Sequence, residues 1–157
     1  MEIKRCIIKS FSVIGKEGST HDGDNFIVEL WETSNKDLHE IEPLAKKENG
    51  EFVGVWGLMS DFSRKFFPWE NNYSQGLYLA GVEVIDGAIA PKGWVKWTVP
   101  SMEYVYFSAG NDYKDAFIKG LTYLNNNKLD LVAAVQEFYC PVEKQLYLFF
   151  PIRRMDK

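Results

Sequence analysis

The sequence predicts an α+β fold built on antiparallel sheet, and three observations predict it. The element order β-α-β-β occurs twice, the strands are joined by hairpins rather than βαβ crossovers, and nothing longer than a loop separates the two halves. Few residues are identical between the halves, so the repeat is one of element order. With 157 residues the expectation is a single domain over 1–157, with pseudo-repeats at about 1–86 and 99–153.

Residues 3–14 read as the first strand, ended by Gly15 and a polar loop that runs to Gly23. Asp24 or Asn25 can cap a helix, in which Phe26, Ile27, Leu30, Trp31 and later Leu38 recur near a period of 3.6 and make one face apolar. Pro43 bounds it. A strand over 52–59, a loop over 60–75 and a strand over 77–85 complete the first half. In the second half a short run, 94–99, precedes a strand over 102–107 and a turn at Ala109 to Asp112. Tyr113, Ala116, Phe117, Leu121 and Leu124 mark the face of a second helix, which frays at Asn125, Asn126 and Asn127. The chain then closes with a hairpin over 133–152.

Composition excludes several classes of function. The chain has 22 acidic and 18 basic residues, and its longest basic runs are pairs such as Lys46-Lys47 and Arg153-Arg154. That balance argues against direct binding of a nucleic-acid backbone. Cys6 and Cys140 lie in apolar runs without CxxC spacing, and His21 and His39 look loop-borne, so neither a disulfide framework nor a metal site is expected. No P-loop, Rossmann glycine pattern or Gly-x-Ser-x-Gly occurs, and no cofactor is expected. No apolar run approaches the 18 or so residues that span a bilayer, so the reading is a cytoplasmic protein with no membrane contact. Five Trp, eight Tyr and eleven Phe exceed what a core of this size requires, which suggests an aromatic-lined pocket or interface.

Within the closing hairpin one carboxylate, Glu137, interrupts an apolar and aromatic strand. A buried carboxylate costs several kcal/mol unless a cation, a proton or a ligand compensates it. Alternation places Val135, Glu137 and Tyr139 on one strand face and Ala134, Gln136 and Phe138 on the other. One strand leaves open which face meets a cleft. It also leaves open a solvent-facing Glu137 or one paired with Lys144 or Arg153.

The run Val99-Pro100 to Phe107, Gly110 before a helix, Glu137-Phe-Tyr139 and Phe150-Pro151-Ile152 together resemble the GyrI-like small-molecule-binding family, also called the bacterial effector-binding domain. The strand Leu77 to Glu83 and the pair Leu30-Trp31 look like the family too, so the similarity extends over the whole chain. Two features depart from it: the second helix ends in three asparagines rather than a Trp-rich segment, and the 60–75 loop is long. The family includes ligand-sensing halves of multidrug-responsive transcription activators, stand-alone relatives of the DNA gyrase inhibitor, and hydrolases of strained electrophiles. The resemblance implies tandem β-α-β-β units forming a curved antiparallel sheet with two helices and a central cleft, walled by aromatics, with a carboxylate at its floor. The matching position is Glu137.

The expected ligand-binding set is Glu137, Tyr139, Tyr104, Trp56, Trp69, Trp97 and Glu83, with Trp94 a further wall candidate; for each aromatic the alternative is ordinary core. Trp69 sits in a 60–75 loop that reads either as a lid or as a cluster packed on the sheet edge. The leading expectation is a stand-alone sensor or sequestering protein for amphipathic, aromatic or cationic small molecules. With no room for a helix-turn-helix, any effect on DNA is expected to pass through another protein. A hydrolase is the second reading, with Glu137 as general base and Tyr104 or Tyr139 as hydrogen-bond donor. A third is a protein-interaction module using exposed Phe66, Phe67 and Trp69 to modulate an enzyme such as a topoisomerase.

Overall fold

The computed structural model describes residues 2–155; Met1, Asp156 and Lys157, at the ends of the expected 1–157 span, lie outside the described residues. The elements in chain order are β1 (Lys4–Ile8), β2 (Phe11–Ser19), α1 (Phe26–Lys36), β3 (Lys47–Glu48), β4 (Glu51–Phe52), β5 (Val55–Ser60) and α2 (Glu70–Tyr73). There follow β6 (Leu77–Val84), β7 (Val95–Val99), β8 (Met102–Ser108), α3 (Tyr113–Asn126), β9 (Gln136–Cys140) and β10 (Gln145–Arg154).

Eight strands form one antiparallel sheet in the order β1-β8-β10-β9-β5-β6-β2-β7, and β3 and β4 pair separately. From the β5/β9 seam outward, β5-β6-β2 mirrors β9-β10-β8, so the two β-α-β-β units meet about a pseudo-twofold axis at the seam. The fold class read from the sequence is the one found, a curled half-barrel of antiparallel strands with a cleft.

Three local expectations change, the first being the end at Gly15: β2 runs on through the stretch read as polar loop to Ser19, paired with β6. The single strand over 3–14 is two strands broken at Lys9-Ser10: β2 stays beside β6, while β1 crosses to the second unit and sets Cys6 opposite Tyr104. The strand expected from residue 52 begins at Val55, because Phe52 belongs to the β3-β4 hairpin. Asn25 occupies the cap position of α1 without a side-chain bond.

The sheet has two faces with different cores. Inside the half-barrel Phe11, Trp56, Leu79, Trp97, Tyr104 and Phe149 are buried together. Against the outer face α1 sets Phe26 on Tyr78 and Ala80, and α3 sets Ala116 and Leu124 on Val105 and Phe150. Gly120 lets α3 lie this close, since a Cβ there would stand 2.1 Å from the Phe150 ring.

The 60–75 loop serves both faces. Its first part plugs the half-barrel: Phe66 is buried edge-on to Trp97, with centroids 5.7 Å apart. Glu17 accepts from Arg64 at 2.6 and 2.8 Å and from Trp97 Nε1 at 2.8 Å. Its second part crosses to the helix side, where Trp69 Nε1 donates to the Leu77 carbonyl at 2.9 Å and Tyr73 packs edge-on against Phe117 of α3. Asn71, Asn72 and Tyr73 in α2 all have φ between 53 and 65°. This left-handed turn is costly for a residue as bulky as tyrosine. No helix among the described residues is long and apolar enough to cross a membrane.

Candidate functional site

The site lies where the seam stops zipping. Strands β5 and β9 pair only at Val55↔Tyr139, Trp56↔Phe138 and Gly57↔Glu137. Beyond Glu137 they part, and the buried Gln136 side chain replaces the next ladder step. Its amide accepts from Met59 N at 2.6 Å and donates to Met59 O at 3.0 Å, so the diverging backbone keeps its bonds. Because Gly57 and Glu137 are opposite each other, the bare Cα face of Gly57 and the Glu137 side chain lie on the same side of the sheet, and that side carries α1 and α3.

Glu137 thus rises from the floor between the helices, and both carboxylate oxygens are engaged. Tyr78, fully buried on β6, donates to Oε1 at 2.6 Å, and Tyr113, the first residue of α3, donates to Oε2 at 2.6 Å. Trp31 of α1 in turn donates to the Tyr78 hydroxyl at 3.0 Å. Gly57 makes this possible, since a Cβ there would lie 2.0 Å from Tyr78 Oη and 2.8 Å from Glu137 Oε1. A single carboxylate therefore ties both helices to the seam.

Burial pushes the Glu137 carboxyl above the ordinary carboxylate range, and the bonds from Tyr113 and Tyr78 only partly offset it. Tyr78 and Tyr113 are pushed up as well, first by desolvation and then by the adjacent carboxylate, so both remain hydroxyl donors. Among the described residues no Lys, Arg or His forms an ion pair with Glu137.

Cavities open on either side of this carboxylate. One, of about 450 Å³, is lined by Trp31, Leu38, Val55, Gly57, Glu137 and Tyr139 among others. The other, of about 250 Å³, is lined by Trp69, Tyr73, Tyr113, Phe117, Ala134 and Glu137 among others. Both are mostly apolar, with the acid as the shared polar group. A further hollow of about 450 Å³ beside α3 carries more charged groups: its Asp112 caps the helix and its Asp115 pairs with Lys119.

Of the residues singled out from the sequence, Glu137, Tyr139 and Trp69 come together here. Trp56, Trp97, Tyr104 and Glu83 do not. Trp56 alternates with Gly57 and points into the half-barrel, where it meets Phe11, Phe138 and Phe149. Trp97 and Tyr104 lie in the same core, and Glu83 accepts from Trp56 Nε1 at 3.4 Å and pairs with Lys46 at 3.6 Å. Trp94 lies under Lys16, 4.1 Å from the ring centre, and donates to Glu40. The sequence reading missed Tyr78 and Tyr113 as partners of Glu137, and Gly57 as their clearance. A signal existed: a tyrosine inside a continuous apolar strand needs a partner for its hydroxyl, and Gly57 marks space for a large neighbour.

No protein-family model and no curated protein matches the chain. Solved structures do. SAV2435 bound to tetraphenylphosphonium superposes with a TM-score of 0.68 at 16% identity, over 98% of this chain and 94% of that one. The EcmrR C-terminal domain gives 0.69 at 12%, over 98% of both chains. The EcmrR chain in its DNA complex gives 0.68 at 12%, with 58% of that chain covered. The fold is the one shared by SAV2435 and the EcmrR C-terminal domain. At these identities the likeness is one of fold.

Proposed function

We propose that the chain binds aromatic, hydrophobic cations in the cleft between α1 and α3, with Glu137 as the counter-charge. The observation that carries this reading is the Glu137 carboxylate itself: half-buried, at the shared wall of two apolar cavities, held by hydroxyls and by no basic side chain among the described residues. A cation entering there gains from the charge and, at about 0.5–2 kcal/mol per contact, from ring faces such as those of Trp31, Trp69 and Tyr139. SAV2435, bound to tetraphenylphosphonium on the same fold, supports the ligand class. The biological role that fits is a sensor or sequestering protein, with a part in transcription regulation through a protein partner. A cytoplasmic location and the multidrug range of the resemblance belong to this proposal.

Titration with tetraphenylphosphonium, followed by calorimetry and thermal shift, tests it. The wild type is expected to bind and melt higher, and Glu137→Gln is expected to lose both effects. Equal binding by the two proteins overturns the reading.

The hydrolase reading keeps one observation in its favour, a carboxylate of raised proton affinity beside two hydroxyl donors. Glu137 would take a proton from water as the water oxygen attacks an electrophilic carbon, and Tyr113, rather than Tyr104, would donate to the leaving atom. Water added to a strained electrophile at catalytic rates, with loss in Glu137→Gln, distinguishes turnover from binding. The interaction-module reading is weaker: Phe66 is buried and Trp69 is bonded inward, which leaves Phe67 exposed beneath Arg154.

A further inference from the structure

The two oxygens of Glu137 are held in different ways. Tyr78 on Oε1 is fully buried, sits on a central strand, fits over Gly57, and receives a hydrogen bond from Trp31. That incoming bond fixes the direction of its own proton, toward Glu137. Moving this hydroxyl would break the Trp31 bond and repack the core around Phe26 and Ala80. Tyr113 on Oε2 is different. The residue is 38% exposed, it opens α3 after the N-cap Asp112, and its hydroxyl makes no other hydrogen bond among the described residues. It also lines the smaller cavity together with Glu137, so swinging its ring outward frees Oε2 to that space.

We infer that the two tyrosines have opposite roles: Tyr78 is a fixed positioning residue, while Tyr113 is an exchangeable donor whose place on Oε2 a ligand's own N–H takes. This rests on the cation-binding reading and divides its ligand class in two: cations with N–H donors, such as aryl amidinium and aryl ammonium ions, which take the place of Tyr113, and cations without them. A donor-free cation such as tetraphenylphosphonium gains only the charge and leaves Tyr113 in place. A donor cation must first displace a hydrogen bond to a charged acceptor, so Tyr113 sets selectivity between the two kinds.

The test compares benzamidinium and tetraphenylphosphonium by calorimetry at pH 8 on the wild type, Tyr113→Phe and Tyr78→Phe. Tyr113→Phe is expected to bind benzamidinium about tenfold more tightly, the worth of one charged hydrogen bond no longer displaced. Its affinity for tetraphenylphosphonium is expected to stay roughly constant. Tyr78→Phe is expected to weaken both by about tenfold through loss of the fixed carboxylate. Benzamidinium affinity that is unchanged or weaker in Tyr113→Phe overturns the inference. Exchange of the two tyrosine hydroxyl protons, followed by NMR in the ligand-free protein, decides the same point without a ligand. The Tyr113 proton is expected to exchange faster, and equal protection overturns the assignment. A wild type that binds neither cation removes the proposed function, and the exchange measurement still decides the roles of the two hydroxyls.

Discussion

The two sides of the β5/β9 seam differ in kind. Toward the half-barrel, Phe11, Trp56, Phe138 and Phe149 pack ring on ring, yet the nearby Tyr104 hydroxyl is buried with no hydrogen-bond partner among the described residues. Toward the helices fewer rings pair with one another, but Trp31, Tyr78, Glu137 and Tyr113 form one connected chain of hydrogen bonds. Aromatic density therefore marks packing, and a connected polar set at the wall of a cavity marks the candidate site. The cost of an unmade bond explains the contrast: one hydroxyl left unpaired is tolerable, whereas an unpaired carboxylate at this depth is not.

Trp56→Ala should produce the largest effect. Removing a buried indole is expected to cost about 3–5 kcal/mol of stability, measured by urea unfolding, with cation binding to the folded fraction unchanged. Binding lost while the fold persists would mean that the two faces are one functional unit.

Next comes Gly57→Ala, a change of one methyl group on the helix side. It forces Tyr78 away from Glu137, and overpacking of this kind costs roughly 1–3 kcal/mol. Unlike Trp56→Ala it is expected to abolish cation binding. A variant that is destabilised but binds normally would show that the Tyr78 bond is dispensable.

The two buried tyrosines sharpen the comparison further. Tyr78→Phe removes a bond to a charged acceptor and strands the Trp31 donor, an expected loss of about 1.5–3 kcal/mol. Tyr104→Phe removes only an unpartnered hydroxyl and should be neutral or stabilising by up to about 1 kcal/mol. Equal losses in denaturation midpoint would imply that Tyr104 has a partner, such as an ordered water.

Periodicity made much of this legible. The alternation through Glu137, the helix face from Tyr113 to Leu124 and the strand at Leu77 to Val84 all follow from local pattern. What local pattern does not carry is register across the seam. Trp56 and Gly57 are neighbours in sequence, and only the pairing of Gly57 with Glu137 determines which of them faces the cleft. Tyr104 falls on the half-barrel side, which local pattern alone does not show for the same reason. The break at Lys9-Ser10 was hidden because both flanking segments are apolar enough for one strand, and the partner that claims β1 lies about a hundred residues away. Tyr78 and Tyr113 come from separate units and meet only at the pseudo-twofold axis, so no spacing rule joins them to Glu137.

The smallest effect concerns the charge on Glu137. Its carboxyl is raised by burial in the folded protein, whereas in the unfolded chain it titrates near the ordinary value of about 4.3. The folded state then holds the proton more tightly, so this group's contribution to stability is full below the unfolded pKa and is lost as pH rises through the folded one. Glu17 has the opposite sign. Burial raises it, but Arg64 and Trp97 more than offset that, so its contribution is present at higher pH and lost in acid. Taking the difference in melting temperature between Glu137→Gln and wild type cancels Glu17 and isolates Glu137. That difference should be smallest near pH 4, grow in favour of the glutamine variant as pH rises, and then level off. A difference that shrinks with pH would mean that the two tyrosine bonds outweigh burial. Saturating tetraphenylphosphonium should reverse the trend, because a cation beside the carboxylate favours its charged form. Relative to the glutamine variant the wild type would then gain stability with pH, tying the cost of the acid on the helix side to the proposed cation site.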